Sequence, residues 1–362
     1  MTLIVDAHCD LAWNMLNYGR DYSRAAIETR AAEAGTHVPE HNGDSLIGWP
    51  DYQRGQVAVI FSTLYVTPAR HRTDADRVFY STFDEAHRLY MDQLHAYHQL
   101  AESGAEQFRI LLDAGDLKEH LDIWRNPAKE TRPVGLVILM EGADGLRSVD
   151  ELQEWHAMGL RLIGLSWAGT RYAGGTKEPG PLTDEGRRLL KAMADFNFTL
   201  DLSHMDELAA LQALDLYEGP IVATHGTCNA LVPGFETNRL FTDRVIQGVI
   251  EHNGVVGLTP LNSFLKADWK RLKGSRREEV PLDVVAAHID HVCQLAGDAA
   301  HAGIGSDFDG GFGVQSVPPE IDTIADLQKL APLLAARGYS EEQIVGILGG
   351  NWLNFLQANL PA

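Results

Sequence analysis

The chain has 362 residues, 45% hydrophobic and 22% charged, an ordinary globular composition with ample material for a core. Thirty basic against fifty acidic residues give a net charge of −20, which excludes nucleic acid or an anionic membrane as a general partner. Three scattered cysteines exclude a disulfide framework, a zinc ribbon and a C-x-x-C redox motif; Cys9 and Cys228 read as small apolar fillers.

Met1 leads straight into a strand, without the charged and apolar regions of a secretory signal. No apolar run approaches the roughly 20 residues that span a bilayer. The expectation is a soluble, cytoplasmic protein. Residues 3–5 read as a short buried strand that ends in His8-Cys9-Asp10. Strand alternation puts residues i and i+2 on one face, so the His8 imidazole and Asp10 carboxylate are expected to point together, as two ligands of one cation would. A polar, irregular segment over about 20–56 reads as a long, pocket-shaping loop after strand one.

The second strand covers 57–66, and a long helix is expected over about 77–100. Its His87, His95 and His98 read as solvated. The third strand, 134–140, ends at Glu141-Gly142, and the fourth, 160–166, runs into Trp167 and a glycine-rich loop through Gly175. A helix around 184–196 precedes the fifth strand, 198–203, which ends at His204. The sixth, 221–224, ends at His225; the seventh covers 255–259; the eighth, 301–306, ends in Asp307-Phe308-Asp309-Gly310. His288 and His291, in a helical stretch after Pro281, read as packing and surface residues. Helices over 321–337 and 340–357 finish the chain.

Eight strand-like runs, mostly followed by helical patterns, predict an α/β fold: a single-domain (β/α)8 TIM-type barrel over residues 1–362. His8, Asp10, Glu141, His204, His225 and Asp307 then all lie at carboxyl ends of strands, the rim where active sites of this architecture sit. Three histidines, one aspartate and one glutamate suit two zinc ions, with manganese or cobalt as substitutes. Glu141 could bridge them, with His8 and Asp10 on one ion and His204 and His225 on the other. Two ions about 3.5–4 Å apart lower the pKa of a shared water and polarise a carbonyl. Asp307 remains as the proton acceptor, passing its proton to the leaving group. Neither a P-loop lysine, a Rossmann arrangement nor a G-x-S-x-G elbow occurs.

Asp6-Ala7-His8-Cys9-Asp10, Met140-Glu141-Gly142, Asp201-Leu202-Ser203-His204, Thr224-His225 and Gly305-Ser306-Asp307-Phe308-Asp309-Gly310 resemble the membrane (renal-type) dipeptidase family, peptidase family M19, among the amidohydrolase-type metal-dependent hydrolases. The likeness spans nearly the whole chain, including Gly55-Gln56-Val57 and Gly350-Asn351-Trp352-Leu353. It implies a (β/α)8 barrel, a binuclear zinc site bridged by a glutamate, and hydrolysis of dipeptides, a small-molecule substrate. It maps the metal ligands onto His8, Asp10, Glu141, His204 and His225, and the catalytic acid/base onto Asp307. Arg239 matches an arginine that holds the substrate's terminal carboxylate, a task suited to a bidentate guanidinium. A homodimer is what the resemblance and general frequency suggest.

The likeness breaks after strand four, where Trp167 stands in place of a histidine that contacts the substrate carbonyl. An indole donates one hydrogen bond but cannot exchange a proton near neutral pH. Loss of an oxyanion donor there costs about 2.7–4 kcal/mol of transition-state stabilisation. Either Arg171 or Tyr172 replaces it, or the metals suffice, or the substrate is another small amide, a cyclic amide, a lactone or an N-acyl compound. A third reading is a binding protein that has kept the barrel and lost turnover.

Overall fold

The computed structural model describes residues 2–73 and 76–362. The eight predicted runs form eight parallel strands: β1 Ile4–Cys9, β2 Val57–Leu64, β3 Val134–Glu141, β4 Leu160–Gly164, β5 Thr199–Asp201, β6 Ile221–Gly226, β7 Val256–Leu258 and β8 Ala302–Ile304. Each pairs with its neighbours in chain order. β8 returns to β1 through Asp6↔Ile304, and β2 meets β3 from Val59↔Gly135 to Leu64↔Met140. The sheet therefore closes into a single-domain (β/α)8 barrel, whose strands are buried on both faces and so carry near-continuous apolar sequence.

Val5, Ala7, Val59, Phe61, Val137, Leu139, Leu162 and Val222 form one buried cluster. They come from β1, β2, β3, β4 and β6, so they meet inside the barrel. Trp352, in the final helix Asn351–Asn359, joins them, edge-on to Phe61 and donating from Nε1 to the Ile304 carbonyl at 3.0 Å. Val137, Leu139 and Glu141 alternate on β3, so the lumen-facing side of that strand ends in a carboxylate at its carboxyl end. A second, larger cluster packs the outer faces of the strands against the helices.

Several local expectations need correction. Segment 20–56 is not an irregular loop: it folds into helices Ala26–Glu33, Val38–Asn42 and Trp49–Gly55. They are too short for their apolar periodicity to stand out in the sequence. The long helix runs Phe83–Ser103, because Thr82 and Glu85 make a capping box that sets its start. Its histidines are not all solvated. His87 Nδ1 bonds the Gly145 carbonyl and His98 Nε2 the Met158 carbonyl, while His95 is exposed. A short strand, Phe108–Ile110, pairs with the start of β3 and was absent from the sequence reading. The glycine-rich stretch after β4 is a hairpin, Ala173–Gly175 with Glu178–Leu182. The helix expected over 321–337 divides into a 3₁₀ segment, Ile324–Lys329, and an α-helix, Leu330–Ala336. His288 is buried, its Nδ1 accepting from the Cys228 amide, and His291 meets Asp243 at the surface, as expected. All three cysteines are free and buried; Cys9 also directs its thiol to Asp6.

Candidate metal centre

The six rim residues converge. Asp10 lies beyond the end of β1 at the N-cap position of helix Leu11–Tyr18, its side chain making no capping bond, and the β1–β2 register shifts between Asp6 and Cys9. Its approach to His8 thus comes from a turn of the chain, not from strand alternation as expected. His8 Nε2 lies 3.6 Å from Asp10 Oδ2, 3.8 Å from Glu141 Oε1 and 3.9 Å from Asp307 Oδ1. These separations are too long for hydrogen bonds. Glu141 Oε1 also lies 3.1 Å from His204 Nε2 and 3.3 Å from His225 Nε2, and the two Nε2 atoms are 3.0 Å apart. Ligands about 2.0–2.2 Å from one tetrahedral zinc stand about 3.3–3.6 Å from each other, so both sets have the spacing of a cation's shell.

Two overlapping triads result, His8–Asp10–Glu141 and Glu141–His204–His225, sharing Glu141 as the bridging assignment requires. A third combination, His8–His225–Asp307, meets the same distance limit. Both ring nitrogens of His8 and Oδ1 of Asp10 are buried without a hydrogen-bond partner. Buried polar atoms are seldom left so, and a cation beside His8 Nε2 and Asp10 would satisfy that nitrogen and the carboxylate. The donor set therefore fits divalent metal.

Charge points the same way. Burial alone would push the His8 imidazole down, but Glu141, Asp10 and Asp307 outweigh it and carry its pKa up to about 10. Burial raises Glu141 to about 8, against the pull of His8. Asp307 is driven well above the carboxylate range by burial, opposed by His8 and reinforced by Asp10 and Glu141. Clustered carboxylates that resist ionising together demand positive charge among them. His204 and His225 are pushed well below the usual imidazole value, first by burial and then by Arg239 and His8, so both stay in the neutral, ligating form.

The partners of these imidazoles fix which nitrogen faces the centre. His225 Nδ1 lies 3.1 Å from Thr224 Oγ1, whose hydroxyl donates to Asp201 Oδ2 at 2.5 Å. Asp201 Oδ1 accepts from the Ser203 and Thr224 amides. Nδ1 of His204 lies 3.0 Å from Thr176 Oγ1, at the tip of the hairpin after β4. In either ring, an Nδ1–H donated to threonine would leave the Nε2 lone pair free toward a metal. The sequence reading missed Thr176 and the role of Asp201; a hydroxyl beside His225 and a carboxylate in the His204 motif were the available signals. Tyr90 OH donates to the Glu141 carbonyl at 2.8 Å and steadies the end of β3.

Arg239 is buried beside the triads, where the loop after β6 folds back over the rim. One of its terminal nitrogens donates to the His225 carbonyl at 3.1 Å, and its guanidinium lies 5.1 Å above the Phe264 ring. Nε and the other terminal nitrogen are buried and unpartnered, so the side chain presents free donors for an anion. Trp167 faces His204 with ring centroids 5.9 Å apart, and packs against Tyr65 at 5.2 Å and His71 at 5.9 Å. It therefore forms a wall beside one triad. Arg171 and Tyr172 do not join it: both donate to the Leu146 carbonyl, and the Arg171 guanidinium lies over Phe83. The Tyr172 hydroxyl and one Arg171 terminal nitrogen thus hold the loop, while Arg171 Nε is buried without a hydrogen-bond partner, so the two side chains are directed at Leu146 and not at the Trp167 wall.

Comparison with known proteins agrees. The family model described as membrane dipeptidase (peptidase family M19) matches residues 1–359. An uncharacterized protein in the pqqA 5′ region of Klebsiella pneumoniae is 32% identical over 275 residues, covering 73% of this chain and 94% of that protein. The dipeptidase tcpJ of Claviceps purpurea (strain 20.1) is 26% identical over 328 residues, covering 86% of this chain and 69% of that protein. A solved structure of a metallo peptidase from Rhodobacter sphaeroides, liganded with a phosphinate mimic of the dipeptide L-Ala-D-Ala, superposes with a TM-score of 0.78 at 25% identity, covering 99% of this chain and 100% of that one.

Proposed function

Because the chain belongs to the membrane dipeptidase family, peptidase family M19, whose members are metal-dependent hydrolases, we propose that it hydrolyses dipeptides at a binuclear zinc centre. The observation that carries this reading is Glu141, whose Oε1 is common to both ligand triads at the carboxyl end of the barrel. His8 and Asp10 would hold one ion with Glu141, and His204 and His225 the other. Two such cations supply an acidified water and a polarised carbonyl when bound.

The protein's own groups do the rest. The free donors of Arg239 receive the substrate's terminal carboxylate and fix the scissile bond beside Glu141. Asp307, with Oδ1 3.9 Å from His8 Nε2, is placed to take the proton released as water oxygen adds to the carbonyl carbon. It returns that proton to the amide nitrogen as the C–N bond breaks, leaving two amino acids. The buried walls around Glu141 and His225 limit access of bulk water.

The test is metal analysis followed by a dipeptide panel with release of free amine as readout. Two zinc ions per chain with no hydrolysis of any dipeptide would remove the proposal. Trp167 supports a second reading, in which the bond cleaved belongs to another small amide, a cyclic amide, a lactone or an N-acyl compound. Gain of dipeptidase activity in Trp167→His would favour it, and equal activity in both proteins would count against it.

A further inference from the structure

We infer that the buried chain Glu33–Arg20–Asp309 positions the Asp307 carboxylate, so that Arg20 and Asp309 are positioning residues for the reaction proposed above; the inference rests on that reading. Asp307 stands in a turn that side chains resist: φ is 58° at Asp307 and 62° at Asp309, both in the left-handed region. Something outside the turn must hold it. On its near side, the Ser306 amide and hydroxyl both donate to the buried Asp6 carboxylate, and the Asp307 amide donates to the His8 carbonyl at 3.1 Å. These contacts fix where the turn begins, and a bridge from Phe308 to Cys9 continues them, but they do not anchor the side that carries Asp309.

The far side is held by Asp309, which is wholly buried. Its Oδ2 accepts from Ser45 Oγ at 2.7 Å, an Arg20 terminal nitrogen at 2.9 Å and Tyr22 OH at 3.0 Å, and its Oδ1 from the Leu46 amide at 2.8 Å. Every donor belongs to the excursion between β1 and β2. Arg20 is clamped in turn by both oxygens of Glu33, at 2.8 and 3.0 Å, and by the Gly43 carbonyl. The same guanidinium donates to Asn14 Oδ1, and Asn14 Nδ2 donates to the carbonyls of Asp10 and Asp309. One buried network thus grips the backbone at Asp10 and at Asp309, on either side of the Asp307 carboxylate.

The space is tight. A Cβ at Gly310 would overlap Asp307 Oδ1 and come within 2.8 Å of Asp10 Oδ2, so the two carboxylates pass this backbone at close range. A small rotation of the turn moves Asp307 relative to the triads without touching a ligand. Misplacement of a reacting group by about 1 Å can cost on the order of 100-fold in rate.

The deciding variant is Asp309→Asn, which keeps the shape and removes the charge that Arg20 meets. The expected result in the zinc-loaded full-length protein is a fall in kcat of about 10- to 100-fold, with KM within twofold and two metal ions retained. Hydrogen–deuterium exchange should show protection lost together over residues 40–46 and 306–311. Tyr22→Phe, which removes one hydrogen bond, should give a smaller fall in the same direction and serves if the first variant does not fold. Unchanged kcat in both variants, loss of metal, or kcat and KM failing together would overturn the inference. If the wild type cleaves no dipeptide, the family-based reading fails separately. The exchange experiment then decides alone, with joint loss of protection supporting the coupling and loss confined to 306–311 refuting it.

Discussion

Replacing Thr224 by valine should weaken one metal ion and spare the other. The Thr224 hydroxyl is buried between His225 Nδ1 at 3.1 Å and Asp201 Oδ2 at 2.5 Å, with Ser203 Oγ at 3.2 Å. Valine fills the same volume without the hydroxyl. Among the described residues, His225 Nδ1 would lose its one side-chain partner, and Asp201 would lose one of three bonds, keeping the amides of Ser203 and Thr224. A buried polar atom left unpaired costs about 1–3 kcal/mol. Two such losses, softened by the remaining amide bonds, place the metal-free destabilisation at about 2–4 kcal/mol. Loss of an outer-shell partner typically lowers metal affinity roughly 10- to 100-fold. A chelator competition that resolves the two ions should assign that loss to the ion held by His204 and His225. Thr176→Val makes the same change at His204 in a half-buried setting, where water can replace the hydroxyl, so its effect should be smaller. Affinities within threefold of wild type for both ions in Thr224→Val would refute the reasoning.

Gly310→Ala should lower kcat by on the order of 100-fold while circular dichroism stays native, because the new methyl displaces the Asp307 carboxylate; near-normal turnover would contradict this. Gly303→Ala should destabilise the fold by about 1–3 kcal/mol, since its methyl would meet the rigid, buried Trp352 ring, and an unchanged denaturant midpoint would count against it. His120 is buried with Nε2 2.8 Å from the Ala58 carbonyl, and burial lowers its pKa from 6.5 to about 4. The unfolded chain therefore binds this proton first, so the contribution is complete above pH 6.5 and is lost as pH falls toward 4, by up to about 3 kcal/mol. Urea unfolding between pH 7 and 4 should show a shallower decline in His120→Gln, and an identical decline would contradict the assignment.

The barrel was legible because eight buried strands leave eight apolar runs, and the candidate centre because the residues that could hold a metal sit where those runs end. The excursion after β1 was not, since its fold depends on distant partners, Asp309 foremost and Val314, Gln315, Asp322 and Ile324 beside it. Arg20, Tyr22, Ser45 and Leu46 look like scattered loop residues until Asp309 comes between them. Asp309 itself appeared only as part of a motif, with no sign that its carboxylate meets the β1–β2 excursion and not the triads. Arg171 and Tyr172 turn away from the Trp167 wall for a related reason. Proximity in sequence to Trp167 suggested a shared role, whereas both side chains turn back to the Leu146 carbonyl. Trp167 is where the pattern predicted a departure, and it does stand beside His204.

Diffraction at the zinc absorption edge, from crystals grown with excess zinc, addresses the shared role of Glu141 most directly. Two anomalous peaks are predicted, one bonded to His8, Asp10 and Glu141 and the other to Glu141, His204 and His225, each about 2.0–2.2 Å from its ligands. A single peak, or two that leave Glu141 uncoordinated, would contradict the account.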